Sequence, residues 1–206
     1  MGRFTGAPCK QCRRAKEKLF LKGDKCYLAK CPVMKRPYAP GQHGNLPTRL
    51  SEYGLRLREK QEAKQIYALT ETQFKGYFEK AERAKGITGT NLLVLLEKRL
   101  DNVTYRLGLT SSRAAARQLV RHRHVKVNGR LVNIPSYQVK AGDIITVKDK
   151  SAPVVKKTIE AMHERKSPDW LVLDEEKLEG KVLRVPQRDD IDTLIEEQMI
   201  VEFYSR

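Results

Sequence analysis

Residues 99–130 read RLDNVTYRLGLTSSRAAARQLVRHRHVKVNGR, a pattern of helix, arginine-bearing second helix and tight hairpin. In the second helix Arg113, Arg117 and Arg121 fall at i, i+4 and i+8, which stacks them on one face. Like charges at that spacing repel by roughly a few tenths of a kcal/mol per pair, so the row points to an anionic partner that neutralises it. His122, Arg123, His124 and Lys126 follow, and Asn128-Gly129 is a type I′ turn that brings Arg130 back beside them. Val125 and Val127 alternate around Lys126 as a strand, and Leu131 and Val132 begin its return. No acid stands between Asp101 and Asp143. A basic surface that only keeps a protein solvated is the plain alternative; the density of cations on one helix and one hairpin tip favours a nucleic-acid footprint.

Working outward, Leu92, Leu96, Leu100, Val103 and Leu107 recur at steps of four, four, three and four, the stripe of one buried helix ending at Gly108. On the other side Ile144, Ile145 and Val147 predict a further strand after Gly142-Asp143. A helix is expected over 153–165 and a short strand over Lys181 to Val185, while the terminal LIEEQMIVEFYSR fits helix or strand equally. Ser51 to Tyr67 reads as helix, and Thr70 with Gln73 forms a capping-box start. Phe74, Phe78 and Ala81 then make an apolar face, and Gly86 ends that helix. Residues 32–50, with Pro32, Pro37, Pro40, Gly41, Gly44 and Pro47, form an extended basic connector in which RPYAPGQHG cannot be helical.

The charge balance agrees with the footprint. The chain has 206 residues, with 41 Lys and Arg against 25 Asp and Glu, a net charge of +16. That excess suits a phosphate-backbone binder. It is concentrated at the N-terminal end, where Glu17 and Asp24 are the only acids in residues 1–50, whereas residues 174–202 are acid-rich. If about eight cations reach phosphates, log affinity falls against log salt with a slope of roughly −7. No run of apolar residues is long enough to span a bilayer and the N-terminus has no hydrophobic signal core, so a soluble, cytoplasmic, membrane-free protein is expected.

Cys9, Cys12, Cys26 and Cys31 are the only cysteines, spaced C-x2-C, thirteen residues, C-x4-C. Two close pairs joined by a loop bring four sulfurs to one tetrahedral centre, and in a cytosolic chain that favours a metal over disulfides. Structural Zn2+ is the first reading and a 4Fe–4S cluster the second, since four thiolates serve either. Few apolar residues surround the cysteines, so ligation is expected to supply on the order of 10 kcal/mol of the arm's folding energy.

RLDNVTYRLG at 99–108, SRAAARQLVRHRHVKVNGR at 112–130, PSYQVKAGD at 135–143, RPYAPGQHG at 36–44, RLREKQ at 56–61 and the terminal VEFYSR together resemble the ribosomal S-four family, named for its S-four RNA-binding domain. The similarity runs over essentially the full length, including the four-cysteine N-terminal variant. It implies an α+β protein: a metal-stabilised basic arm and connector over 1–44, a helical domain from 45–91 plus 176–206, and an inserted S-four RNA-binding domain over 92–175. It further implies a structural component of the small ribosomal subunit that binds 16S-type ribosomal RNA, nucleates assembly of the body, meets small-subunit proteins five and twelve, contributes to translational accuracy and does not form a homo-oligomer. On this reading the RNA contacts are Arg113, Arg117, Arg121, His122, Arg123, His124, Lys126, Asn128 and Arg130, with Arg3, Lys10, Arg13, Arg14, Lys35, Arg36, Arg56, Arg58 and Lys60 from the arm, connector and first long helix.

An enzyme is disfavoured. There is no phosphate-binding glycine loop, and His163 with Glu164 lacks a second histidine because position 167 is Ser167. Asp101 and Asn102 read as a polar pair on a helix surface or behind one, not as a general base. The alternative kept is a non-ribosomal RNA-binding factor, a ribosome-associated chaperone or a translational regulator; a DNA-binding zinc module is weaker, because the cysteine segment has no recognition helix.

Overall fold

A computed structural model describes residues 2, 4–46, 49–161, 167–193 and 195–205. In chain order the helices are α1 (Pro8–Ala15), α2 (Pro32–Lys35), α3 (Glu52–Ile66), α4 (Glu71–Arg83), α5 (Thr88–Glu97), α6 (Leu100–Arg106), α7 (Arg113–Arg121), α8 (Ala152–Ala161) and α9 (Glu197–Tyr204). The strands are β1 (Val125–Val127), β2 (Arg130–Leu131), β3 (Ile144–Val147), β4 (Leu171–Asp174) and β5 (Glu179–Val182). The chain divides into two compact units, residues 1–92 with 193–206 and residues 93–192.

The first unit is helical. Pro8 and Pro32 open α1 and α2, where a missing N–H has no helical partner to lose; a turn of helix therefore interrupts the connector expected to be extended, while 36–44 has no regular element. Ser51 caps α3 by accepting from the Gly54 N–H at 3.2 Å. Thr70 and Gln73 close the capping box of α4 in both directions. The terminal segment is helical: α9 packs on α3, with the Tyr204 ring 4.5 Å from that of Phe78 and the Phe203 ring 5.6 Å from that of Tyr53. Its start lies so close to α5 that a Cβ on Gly89 would come within 2.6 Å of Glu197. Beside it, and against the burial that opposes ionisation, the Lys60 and Lys64 ammonium groups hold the Glu71 carboxyl down to about 2.

The second unit sets α6, α7 and α8 with a sheet. Among the described residues the strands form one antiparallel sheet in the order β2-β1-β3-β5-β4. Its core unites Leu100, Val103 and Leu107 with Val120, Val125, Ile145, Trp170 and Val182. The leucine stripe read as one helix is two. At Arg99 the backbone turns extended and pairs with Gln138, and the Leu100 and Asp101 N–H groups donate to the Tyr137 and Pro135 carbonyls at 2.9 and 3.2 Å. PSYQV thus takes hydrogen bonds a continuous helix would have kept, and both pieces still bury their apolar residues.

Two further boundaries move. Strand 181–185 lies instead at Glu179–Val182, where it pairs with β3 and with β4, a strand not anticipated. Residues 179–182 therefore belong to the sheet and not to the helical domain drawn from 176. The helix expected over 153–165 is α8; its last positions, 162–165, fall outside the described residues.

Candidate nucleic-acid interface

Ser112 caps α7 by accepting from the Ala115 N–H at 3.3 Å, and Ala116 and Val120, both fully buried, seat the helix on the core. Its far end closes with the Arg123 N–H donating to Val120 O at 3.0 Å and the His124 N–H to Leu119 O at 3.2 Å. This is a Schellman closure, and its left-handed position, φ +60°, holds Arg123 where glycine is usual. The turn leads straight into β1. The expected hairpin follows with Asn128 at φ +49° and Gly129 at φ +76°, the pair of left-handed residues a type I′ turn needs. Asn128 also pins the turn to β3: its Nδ2 donates to Asp143 Oδ1 and its Oδ1 accepts from the Ile144 N–H, both at 2.9 Å.

Arg121, His122, Arg123, Asn128 and Arg130 are exposed, and His124 and Lys126 are half-buried. His124 Nδ1 lies 2.7 Å from Ser151 Oγ, which fixes the ring. The helix end and hairpin tip thus form one rigid basic surface.

The arginine row itself differs from the expectation. Arg117 is 4% exposed and faces Asp101, Nη1 to Oδ2 at 3.4 Å. Arg113 is half-buried; its Nε donates to Asn102 Oδ1 at 2.7 Å and its guanidinium lies 4.5 Å from the centre of the Tyr105 ring. Only Arg121 of the three stands exposed. The row's mutual repulsion is relieved from within: the break at Arg99 turns α6 so that Asp101 and Asn102, read as a polar pair on a helix surface or behind one, take the second of those places, buried and reaching α7. Asp101 also accepts from Arg99 Nε and Nη2 at 3.1 and 2.9 Å. Glu97, 1% exposed, accepts from Arg106 at 3.0 and 2.9 Å and from Asn102 Nδ2 at 2.8 Å. Spacing alone does not reveal that Asp101, Glu97 and Asn102 hold these arginines in place.

In the first unit Lys10, Arg14, Lys35 and Arg36 are exposed. Arg13 instead clasps the connector, donating to the carbonyls of Arg36, Tyr38 and Ala39 at 3.2, 3.0 and 3.4 Å. Lys60 is 5% exposed and bonded to Glu71 at 2.7 Å, so it is a structural cation. Arg56 is engaged by Glu202 and Glu52 at 2.7 and 3.5 Å. Arg58 is half-buried and its charge opposes the rise of the Glu62 carboxyl to about 7, which burial drives first and Glu59 and Glu17 reinforce. Arg3 lies outside the described residues.

Cys12, Cys26 and Cys31 are buried and Cys9 half-buried. The Lys22 N–H donates to the sulfur of Cys26 at 3.4 Å. Burial first, then the charge of the other cysteines, raises the Cys12 and Cys26 thiols. Among the described residues no three His, Cys, Asp or Glu side chains are gathered at ligating range. The four-thiol donor set and the Lys22 N–H···S bond suit a thiophilic ion; the sulfurs must draw in to hold one.

No described helix is long and apolar enough to cross a membrane. Two family models match adjoining stretches: "Ribosomal protein S4/S9 N-terminal domain" over residues 3–97 and "S4 domain" over 98–145. Among curated relatives, "Small ribosomal subunit protein uS4" of Dictyoglomus turgidum is 56% identical over 206 residues, covering all of both chains. Those of Caldicellulosiruptor saccharolyticus and Geotalea uraniireducens are 57% and 53% identical over 208 residues, again at full coverage of both chains.

Proposed function

Because the chain belongs to the uS4 family of small ribosomal subunit proteins, we propose that it is a structural, non-enzymatic component of the cytoplasmic small subunit that binds 16S-type ribosomal RNA. The observation that carries the reading is the rigid basic surface of α7's end and the pinned hairpin, with Arg123 held in a left-handed position to present its cation. Folded RNA hides its base edges in a deep groove and displays phosphates and shape, which a fixed array of guanidinium groups can match. Full-length identity to ribosomal relatives favours this over a free RNA-binding factor. Nucleation of body assembly, contact with small-subunit proteins five and twelve, and a contribution to accuracy extend the proposal on the family resemblance.

The test is filter binding to a small-subunit ribosomal RNA fragment across a salt series. Arg121→Ala is expected to weaken binding and flatten the salt slope by about one. Arg117→Ala should leave the slope unchanged, because its guanidinium faces Asp101. An unaltered affinity for Arg121→Ala at every salt concentration would overturn the assignment.

We also propose a structural metal, Zn2+ first and a 4Fe–4S cluster second, on Cys9, Cys12, Cys26 and Cys31, supported by the donor chemistry and the Lys22 N–H···S bond to Cys26. Elemental analysis of the purified chain should find zinc or iron at one site per molecule, lost together on Cys12→Ser; a metal-free folded arm would refute it.

A further inference from the structure

The loop between the cysteine pairs presents two aromatic rings outward. Leu19 and Cys26 are buried, and the residue after each, Phe20 and Tyr27, is turned out to 37% and 58% exposure. Their ring centres are 5.0 Å apart with the planes tilted by 34°. Apolar burial would hide such rings; here the backbone works against that. Phe20 sits at φ +49°, an uncommon conformation for a bulky side chain that carries a local energetic cost. The N–H···S bond from Lys22 to Cys26 anchors the same loop from inside.

The surroundings are cationic. Lys22 and Lys25 are exposed on this loop, Lys18 lies near enough to influence Cys26, and Asp24 is the one acid among residues 18–30. Aromatic faces interleaved with lysines are the chemistry of single-strand binding: a base stacks on the ring while the ammonium groups track the backbone. An apolar protein segment would gain little from the lysines, whereas an unpaired nucleotide uses both.

We propose that the Phe20–Tyr27 pair is a stacking platform for an unpaired nucleobase of RNA, flanked by Lys22 and Lys25. It rests on the RNA-binding reading above and adds to it a contact of a different kind, because the α7 and hairpin surface meets RNA chiefly through guanidinium and ammonium groups, its exposed ring being the imidazole of His122. Stacking on an aromatic side chain tolerates any base, so the platform selects for an extruded nucleotide and not for sequence.

The experiment compares the full chain with Tyr27→Ala, Tyr27→Phe and Lys25→Ala, each checked for native circular dichroism, by fluorescence anisotropy on labelled oligoadenylate and on a fully paired RNA stem. Tyr27→Ala is expected to weaken oligoadenylate binding about tenfold, with its salt slope and its affinity for the paired stem unchanged. Tyr27→Phe keeps the ring and should keep the affinity. Lys25→Ala should instead flatten the single-strand slope by roughly 0.7. Indifference of oligoadenylate binding to Tyr27→Ala, an equal loss on the paired stem, or no oligoadenylate binding by the parent chain overturns the platform; a protein-docking role would give the first of these. Failure of the parent chain to hold the ribosomal RNA fragment would instead overturn the broader reading, so the two failures are distinct.

Discussion

Asp101→Ala should lower the unfolding free energy of the second unit by about 3–5 kcal/mol. Asp101 is 6% exposed and faces two buried guanidinium groups, Arg99 at 2.9 Å and Arg117 at 3.4 Å, which are 1% and 4% exposed. A buried ion pair adds little net stability over an apolar substitute, because bringing the charges out of water offsets most of their attraction. Removing one partner is another matter: two cations would remain in a low-dielectric interior without the carboxylate they share. The carboxylate also accepts the Asn102 N–H at 3.0 Å, a further bond lost with it. Asp101→Asn retains an acceptor for some of these donors and should fall between the two. The sole tryptophan, Trp170, is fully buried in this unit, so its fluorescence during denaturant titration reports on the right part of the chain. An unfolding midpoint that did not move would remove the network from any structural role.

Trp170→Ala is expected to cost about 3–5 kcal/mol, by loss of transfer energy and by the cavity it opens among Leu100, Val120, Ile145 and Val182. The control is Trp170→Phe. The indole Nε1 is buried with no hydrogen-bond partner among the described residues, a group whose burial is unfavourable unless paired. Phenylalanine removes that N–H while filling much of the space, so its effect should be far smaller than alanine's. Thermal unfolding followed by far-ultraviolet circular dichroism checks both; equal losses for the two variants would mean that cavity volume is not what decides stability here.

The features legible from sequence were those fixed by neighbours in the chain. The Asn128-Gly129 turn and the Thr70–Gln73 box depend on contacts within a few residues, and the structure has both. What escaped depended on distant partners. The helix break at Arg99 exists because residues 135–139 supply carbonyls there, and an apolar stripe that stays in phase across it gives no local sign. The burial of Arg117 follows from that break, since Asp101 faces α7 only once α6 is set off from α5. Charge periodicity counted Arg113, Arg117 and Arg121 alike; position relative to an unseen carboxylate separated them. β4 has a local signal in the apolar run Trp170-Leu171-Val172-Leu173, but its place in the sheet depends on pairing with β5.

Asn-Gly is the dipeptide at which polypeptides deamidate most readily, because the glycine nitrogen can attack the asparagine carbonyl carbon and expel ammonia. At Asn128 both ends of the side-chain amide are held, one by the Ile144 N–H and one by Asp143, and the ring-closing rotation would have to break them. The tip that carries Lys126 and Arg130 is thereby shielded from chemical ageing for as long as β3 stays in register beside it.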